Sequence, residues 1–285
     1  MPPEETWTVS RLLGWTADFF KNKGIEKPRL EAEILLAAAM KLKRVELYTN
    51  YDTEPDEQQR TLFRDFVKRR GSGEPVAYLV GFKEFYSIPF KVNRSVLIPR
   101  PETEDIVLHA VDVLKQSESK PPLLCDVGTG SGAIAVAVAK NVPGVHVIAI
   151  DISSEALTTA KSNAELNGVA DRIKFRRSDL LNDVPEIFDI IVSNPPYVSQ
   201  SEYDALPADV KNFEPKSALL AGQKGTEVIE QLIAQAAVKL KPGGSLFIEG
   251  SPMIADAVAD LMSNWQNVQI IKDSAGHKRI IGGER

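Results

Sequence analysis

Cysteine is almost absent from this chain: Cys125 is the single one among 285 residues. One thiol excludes an intramolecular disulfide and any zinc site built on several cysteines. Cys125 sits in an apolar run and reads as a buried strand thiol with no redox part. Histidine is nearly as scarce, and His109, His146 and His277 show no metal-ligand spacing, so no metal is expected. No apolar run approaches the ~20 residues needed to cross a bilayer. The acidic opening "MPPEETWTVS" lacks the basic start and apolar stretch of a signal peptide. These absences predict a soluble, cytoplasmic protein with no membrane partner. An excess of positive charge is missing too. A net charge of −5 is a poor footprint for binding naked nucleic acid, so no direct nucleic-acid partner is expected. Low-complexity tracts and internal repeats are also missing. What is left is the composition of an ordinary globular protein, with length for one large domain or two modest ones.

The chain that is present changes texture twice. Residues 1–73 read as a small helical domain. "TVSRLLGWTADFFKNKG" places Val9, Leu12, Leu13, Thr16, Phe19 and Phe20 on one face, with Gly24 as a stop. "KPRLEAEILLAAAMKLK" continues with Leu30, Ile34, Leu35, Ala38 and Met40. In "EPDEQQRTLFRDFVKRRGSG" Pro55 suits a first helical turn, and Lys68, Arg69 and Arg70 suit a last turn as a solvated end that favours the macrodipole. Residues 74–95, "EPVAYLVGFKEFYSIPFKVNRS", are rich in β-branched and aromatic residues and read as a β-hairpin connector. From 96 to 285 strand and helix patterns alternate, from "LLCDVGT" to "HKRIIGG", with one helix expected to stop at Gly243 and Gly244. That alternation predicts an α/β domain: a mostly parallel sheet covered on both faces by helices and closed by an antiparallel hairpin.

Two loops carry chemistry. In "LLCDVGTGSGAIAVAVA" a strand runs into Asp126 and Val127, then Gly128, Thr129, Gly130, Ser131 and Gly132 lead into a helix. Glycines at such a turn permit unusual φ values and let a ligand approach the backbone. Asp151 ends the next strand, nineteen positions after Gly132, where a carboxylate accepts the hydroxyl protons of an adenosine ribose. Asp179 ends the third strand and is expected to reach the adenine amino group, with Leu180 packing on the ring. This much specifies an adenosine cofactor without choosing between NAD and S-adenosylmethionine. Asp126 tilts the choice, because a carboxylate repels a pyrophosphate and attracts a cationic methionine moiety.

The second loop is "FDIIVSNPPYVSQ", where an apolar strand ends in Asn194, Pro195, Pro196 and Tyr197. Two prolines stiffen the loop and leave carbonyls free. In an open α/β sheet this strand end faces the glycine loop across the switch point. The Asn194 side-chain oxygen and the Pro195 carbonyl suit a planar NH₂ group, which offers two donors, and Tyr197 suits stacking on it. Holding such a nitrogen in line with a methyl group raises its reactivity by orientation and electrostatics, without a covalent nucleophile or a histidine base.

"DVGTGSGAIA", "AID", "SNPPY" and "LIPRPETE" together resemble the HemK/PrmC family of release factor glutamine N5-methyltransferases. "EPVAYLVGFKEFYSIPF" looks like that family's connector and "FEPKSALLAGQKG" like its segment after the Asn-Pro-Pro-Tyr loop, so the resemblance covers most of the chain. It implies a Rossmann-like seven-stranded class I methyltransferase sheet with a small N-terminal helical domain that grips the substrate protein. It also implies S-adenosyl-L-methionine as cofactor and the Gly-Gly-Gln glutamine of class I peptide-chain release factors as acceptor. Gly128, Thr129, Gly130, Ser131, Gly132, Asp151, Leu180 and Asn194 match cofactor-contact positions, and Asn194, Pro195, Pro196 and Tyr197 match the amide site. Arg100 and Glu102, in "IPRPETE", are expected near the cofactor mouth. "SLFIEGSPM" departs from many relatives by a shorter spacing between acid and glycine. The competing readings are an adenine-N6-type methyltransferase acting on nucleic acid, an NAD-dependent oxidoreductase and an inactive binding module. The acidic net charge opposes the first of these. The second has no histidine or tyrosine-lysine pair placed for hydride chemistry, and the third leaves Asn194 and Asp151 without a purpose.

Overall fold

The structure, a computed structural model, describes residues 6–117 and 121–285; the first five residues of the acidic opening lie outside the described residues. The chain divides into two units: Met1–Gly81 with Ala208–Phe213, and Phe82–Pro207 with Glu214–Arg285.

The first unit is helical: α1 (Val9–Asn22), α2 (Pro28–Met40), α3 (Glu46–Thr49), α4 (Glu57–Gly71) and α5 (Val76–Val80). Thr8 caps α1, and Val9, Leu13, Thr16 and Phe20 turn inward as the periodicity predicts. In α2 the buried face is Ala32, Leu35, Leu36 and Ala39, rotated from the expected one, because small alanines let this side pack closely. Pro55 lies just outside α4; Asp56 is its cap, in a reciprocal capping box with Gln59. The hairpin expected from residue 74 is preceded by a helical turn, since Pro75 and the left-handed Gly81 bracket "VAYLV" as α5 and Leu79 joins the helical core. The compact unit therefore extends to Gly81.

The second unit opens with a hairpin, β1 (Phe82–Phe85) and β2 (Ile88–Lys91), whose two-residue turn puts Tyr86 and Ser87 at positive φ. Then follow α6 (Glu104–Gln116), β3 (Leu123–Val127), α7 (Ala133–Asn141), β4 (His146–Asp151), α8 (Ser154–Leu166), β5 (Ile173–Arg177) and β6 (Phe188–Ser193). The chain goes on through β7 (Val198–Ser199), α9 (Gln200–Ala205), α10 (Ala208–Phe213, part of the first unit) and β8 (Leu220–Gly222). It ends with α11 (Glu227–Lys239), β9 (Leu240–Glu249), α12 (Ala255–Leu261), β10 (Gln266–Lys272) and β11 (Lys278–Glu284).

Seven strands form one sheet in the order β10-β11-β9-β6-β3-β4-β5. β3, β4, β5, β6 and β9 run parallel, and β11 is antiparallel to both its neighbours. This is the expected Rossmann-like sheet with its closing hairpin. Alternate residues feed two cores. Leu124, Val147, Ile190 and Phe247 pack with α6 and α7, while Cys125, Ile148, Ile191 and Leu246 pack with α11 and α12. Both faces are covered, so the inner parallel strands are largely apolar, whereas the edge strand β5 carries Lys174, Arg176 and Arg177. Gly243 and Gly244 do not end a helix: β9 already begins at Leu240, and the glycines lie where its register with β6 shifts.

Candidate active site

The sheet order reverses at β3, whose neighbours are β4 and β6, and the two sequence motifs leave the carboxyl ends of β3 and β6 at this switch point. Gly128, Gly130 and Gly132 all take positive φ, as a left-handed turn between strand and helix requires. At Gly132 a Cβ would also come within 3.1–3.2 Å of Ala160. Gly132 is therefore a packing position that lets α7 start against α8. Asn163, fully buried, donates from Nδ2 to the Ser131 carbonyl at 2.8 Å and holds the backbone of Lys91 on its other side. Sequence reading did not single out Asn163; a buried amide within a helix was the available signal.

Asp126 does not line the cavity. It is fully buried beneath the loop, where Oδ2 accepts from Thr129 Oγ1 at 2.7 Å and from Ala135 N at 3.0 Å. Its Oδ1 has no partner, and burial pushes its pKa up to about 7 against the pull of those two donors. The charge argument made for this residue therefore does not act at the cavity. Because the folded state keeps the proton between about pH 4 and 7, stability falls as pH rises through that window. Asp126→Asn is expected to remove this residue's share of the slope, gaining at most about 4 kcal/mol over wild type at neutral pH at about 1.4 kcal/mol per unit. Thermal unfolding of both proteins from pH 4 to 8 checks it. Cys125 is likewise fully buried, with its thiol pushed well up by desolvation, as a structural thiol should be.

Asp151 joins two loops. Its Oδ2 accepts from Gly130 N and its Oδ1 from Ser153 N, both at 2.9 Å, and the carboxylate retains acceptor capacity for a ligand. Burial raises its pKa, opposed by these backbone donors. A cavity of about 360 Å³ opens over it, within the range of small-molecule sites. The glycine loop from Gly128 to Ser131 and Asp151 line one side, Asp179 and Leu180 another. Leu180 holds a left-handed conformation, φ 49°, a strained choice for a leucine that turns this segment around the cavity. An adenosine group with a short charged tail fits this lining: glycine backbone without Cβ atoms, a carboxylate with spare acceptors and an apolar platform.

The Asn-Pro-Pro-Tyr loop forms the inner wall. Ser193 Oγ donates to the Val127 carbonyl at 2.7 Å and so ties the end of β6 to the glycine loop. Asn194 and Pro196 line the cavity; Pro195 is buried and Tyr197 half-buried, neither lining it. Asn194 Nδ2 donates to Thr103 Oγ1 at 3.0 Å, which donates to Glu249 Oε2 at 2.7 Å. The Tyr197 hydroxyl donates to the other oxygen of Glu249 at 3.3 Å, and burial, then that carboxylate, raises its pKa. The loop is held from behind by Gly225, at φ 86°, where a Cβ would meet the Tyr197 carbonyl at 2.8 Å. Gly225→Ala is expected to cost about 1–3 kcal/mol through overpacking and backbone strain, readable as a lowered denaturation midpoint.

Arg100 lines the cavity mouth and is paired with the buried Glu214 of the "FEP" segment; Glu102 is half-buried and outside the lining. The structure thus joins most of the expected residues. Asp126, Gly132, Pro195 and Tyr197 support the cavity from behind its wall. It also adds Thr103, Glu214 and Glu249, whose motifs were visible but whose partners lie far away in sequence. Among the described residues no cluster of His, Cys, Asp or Glu could hold a metal ion, and no helix is long and apolar enough to cross a membrane.

Comparison with known proteins bears on the same features. The PrmC N-terminal domain family matches residues 11–81, and the methyltransferase small domain family matches residues 109–210. A release factor glutamine methyltransferase from Rhodopirellula baltica is 51% identical over 98% of this chain and 97% of its own length. The enzyme of the same name from Chlorobaculum tepidum is 39% identical over 96% of both chains. Among solved structures, the hMettl16 catalytic domain in complex with an RNA hairpin superposes with a TM-score of 0.57 at 15% identity, covering 77% of this chain and 81% of that one. At that identity the likeness speaks for the fold alone, a class I methyltransferase sheet. On the strength of the full-length relatives and the matched N-terminal domain, this chain belongs to the HemK/PrmC family of release factor glutamine methyltransferases.

Proposed function

We propose that the protein transfers a methyl group from S-adenosyl-L-methionine to the side-chain amide nitrogen of the glutamine in the Gly-Gly-Gln motif of class I peptide-chain release factors. The observation that carries this is the Asn194 amide, which lines the cavity with Nδ2 engaged by Thr103 and Oδ1 without a protein donor among the described residues. A free side-chain acceptor on the cavity wall suits a primary amide, which brings N–H donors, better than a carboxylate, which only accepts. The substrate nitrogen, its N–H held by Asn194 Oδ1, would attack the methyl carbon in line, losing one proton to solvent as the N–C bond forms and the S–C bond breaks. S-adenosyl-L-methionine, when bound, would supply an electrophilic sulfonium methyl and become S-adenosyl-L-homocysteine on transfer. Asp151 would orient the ribose, the backbone of the glycine loop would accommodate the methionine tail, and Leu180 and Asp179 would hold the adenine. Tyr197, anchored on Glu249, stiffens the loop so that little reorganisation remains at the moment of transfer. Residues 1–73 contribute to gripping the folded partner. A substrate of this kind puts the reaction in the cytoplasm.

The test is methyl transfer from radiolabelled cofactor to purified release factor, beside a factor whose Gly-Gly-Gln glutamine is changed to alanine. Label on the normal factor alone supports the reading. Label that appears on DNA or RNA instead overturns it in favour of an amino-group reaction on nucleic acid.

A further inference from the structure

The Asn-Pro-Pro-Tyr motif does not by itself decide which end of the Asn194 amide faces the substrate. A side-chain amide rotated by a half turn exchanges an acceptor for a donor, and a donor there would repel the N–H groups of a substrate amide. The surroundings of Asn194 remove this ambiguity.

We propose that Thr103 and Glu249 form a positioning relay that locks the Asn194 amide with its oxygen towards the substrate. The inference rests on the amide-nitrogen reaction proposed above. Glu249 ends β9 and is 1% exposed. Each of its carboxylate oxygens meets one hydroxyl, Thr103 at Oε2 and Tyr197 at Oε1. A carboxylate only accepts, so both hydroxyls donate to it. Thr103 has a single O–H proton, and it is spent on Glu249. Its oxygen then retains only lone pairs for Asn194, so the Asn194 atom 3.0 Å away is the NH₂ group and the carbonyl points the other way. The order Glu249, Thr103, Asn194 follows from counting protons along the chain.

Burial, and then the nearby Glu102, raise the Glu249 pKa above the ordinary carboxylate value, against the Thr103 hydroxyl, the field of Arg279 and the Tyr197 hydroxyl, which favour its charge. Arg279 is itself turned towards Asp273 at 3.4 Å. The cluster is thus an acceptor held deep in the fold by hydroxyl donors on two separate segments. A buried carboxylate in that arrangement would be a costly choice for stability alone. Thr103 belongs to the "PETE" stretch, where Arg100 and Glu102 drew attention in the sequence; the hydroxyl between the two acids is the member that reaches Asn194.

Thr103→Val keeps the shape and removes the hydroxyl, while Thr103→Ser keeps the hydroxyl. For the Val variant kcat is expected to fall about tenfold or more, the equivalent of one hydrogen bond, with KM for release factor and calorimetric Kd for cofactor nearly unchanged. The Ser variant is expected to recover most of the rate. Equal losses in both variants, or a Val variant limited by cofactor affinity, would overturn the relay. The second readout needs no turnover. In ¹⁵N-labelled protein, the Asn194 side-chain NH₂ signal is expected to shift and exchange faster in Thr103→Val but not in Thr103→Ser. An Asn194 signal indifferent to the hydroxyl would also sink the relay. This separates the two proposals, because a wild-type enzyme that labels no glutamine counts against the reaction while the spectrum still judges the relay. If Thr103→Val does not fold, Glu249→Leu is read by the same spectrum: it removes the acceptor that takes the Thr103 proton, so Thr103 is free to turn, and an undisturbed Asn194 signal rules the relay out.

Discussion

Asn194→Ala is expected to lower kcat by about 10³-fold or more while the cofactor Kd changes by no more than a few fold. The size follows from what the side chain does. Losing one preorganised electrostatic partner in an active site costs about 10²–10³ in rate. Here the same group also sets the direction of the nucleophile, so part of the orientation advantage goes with it. Cofactor binding is spared because the glycine loop and Asp151 are anchored independently, through Thr129 N to the Ile150 carbonyl and Gly130 N to Asp151. Ser193, which ties the strand end to Val127, is untouched by the change. Single-turnover methyl transfer at saturating cofactor, with calorimetry on the same preparation, measures both quantities. Near-normal turnover would remove Asn194 from the chemistry.

Asp151→Ala is expected to weaken cofactor binding by about tenfold or more, with the largest effect on Kd and a secondary loss of stability. Hydrogen bonds to a charged group contribute about 1.5–3 kcal/mol, so removing the ribose contact alone accounts for a decade. The carboxylate also holds Gly130 N and Ser153 N, and its loss leaves the glycine loop and the start of α8 without their common anchor. Asp151→Asn separates the two effects. Its carbonyl oxygen still accepts from one backbone donor, so stability recovers more than affinity does. Isothermal calorimetry and thermal unfolding of the two variants make the comparison. Unchanged affinity in Asp151→Ala would show that the ribose is held elsewhere.

The glycine loop, Asp151 and the Asn-Pro-Pro-Tyr loop were legible because each is a local signal. A strand, a turn that requires positive φ and a helix lie within a few residues of one another, and two consecutive prolines stop a strand whatever surrounds it. The parallel sheet was legible for a related reason, since strands buried on both faces must be apolar throughout. Short segments were harder. "VAYLV" has strand-like residues yet forms α5, and the glycine pair at 243 and 244 sits within β9 where a helix stop was expected. In both cases packing overrode propensity. Asp126 was placed at the cofactor by a charge argument that did not weigh its burial. A residue two positions before the first loop glycine can turn into the cavity or under the loop, and spacing does not distinguish these.

By itself, then, the sequence determined the alternation of the main sheet strands and helices from β3 onward, the two loops that carry the chemistry and the family to which they belong. These depend on backbone stereochemistry and hydrophobic period, which act over a few residues. The tertiary structure decided which polar groups meet. Thr103, Asn194 and Glu249 come from three segments separated by dozens of residues, and Arg100 meets Glu214 across more than a hundred. No periodicity encodes such pairs, because each side chain alone is compatible with solvent. Only closure of the sheet at its switch point removes the water, and a buried polar group must then find its partner within the protein.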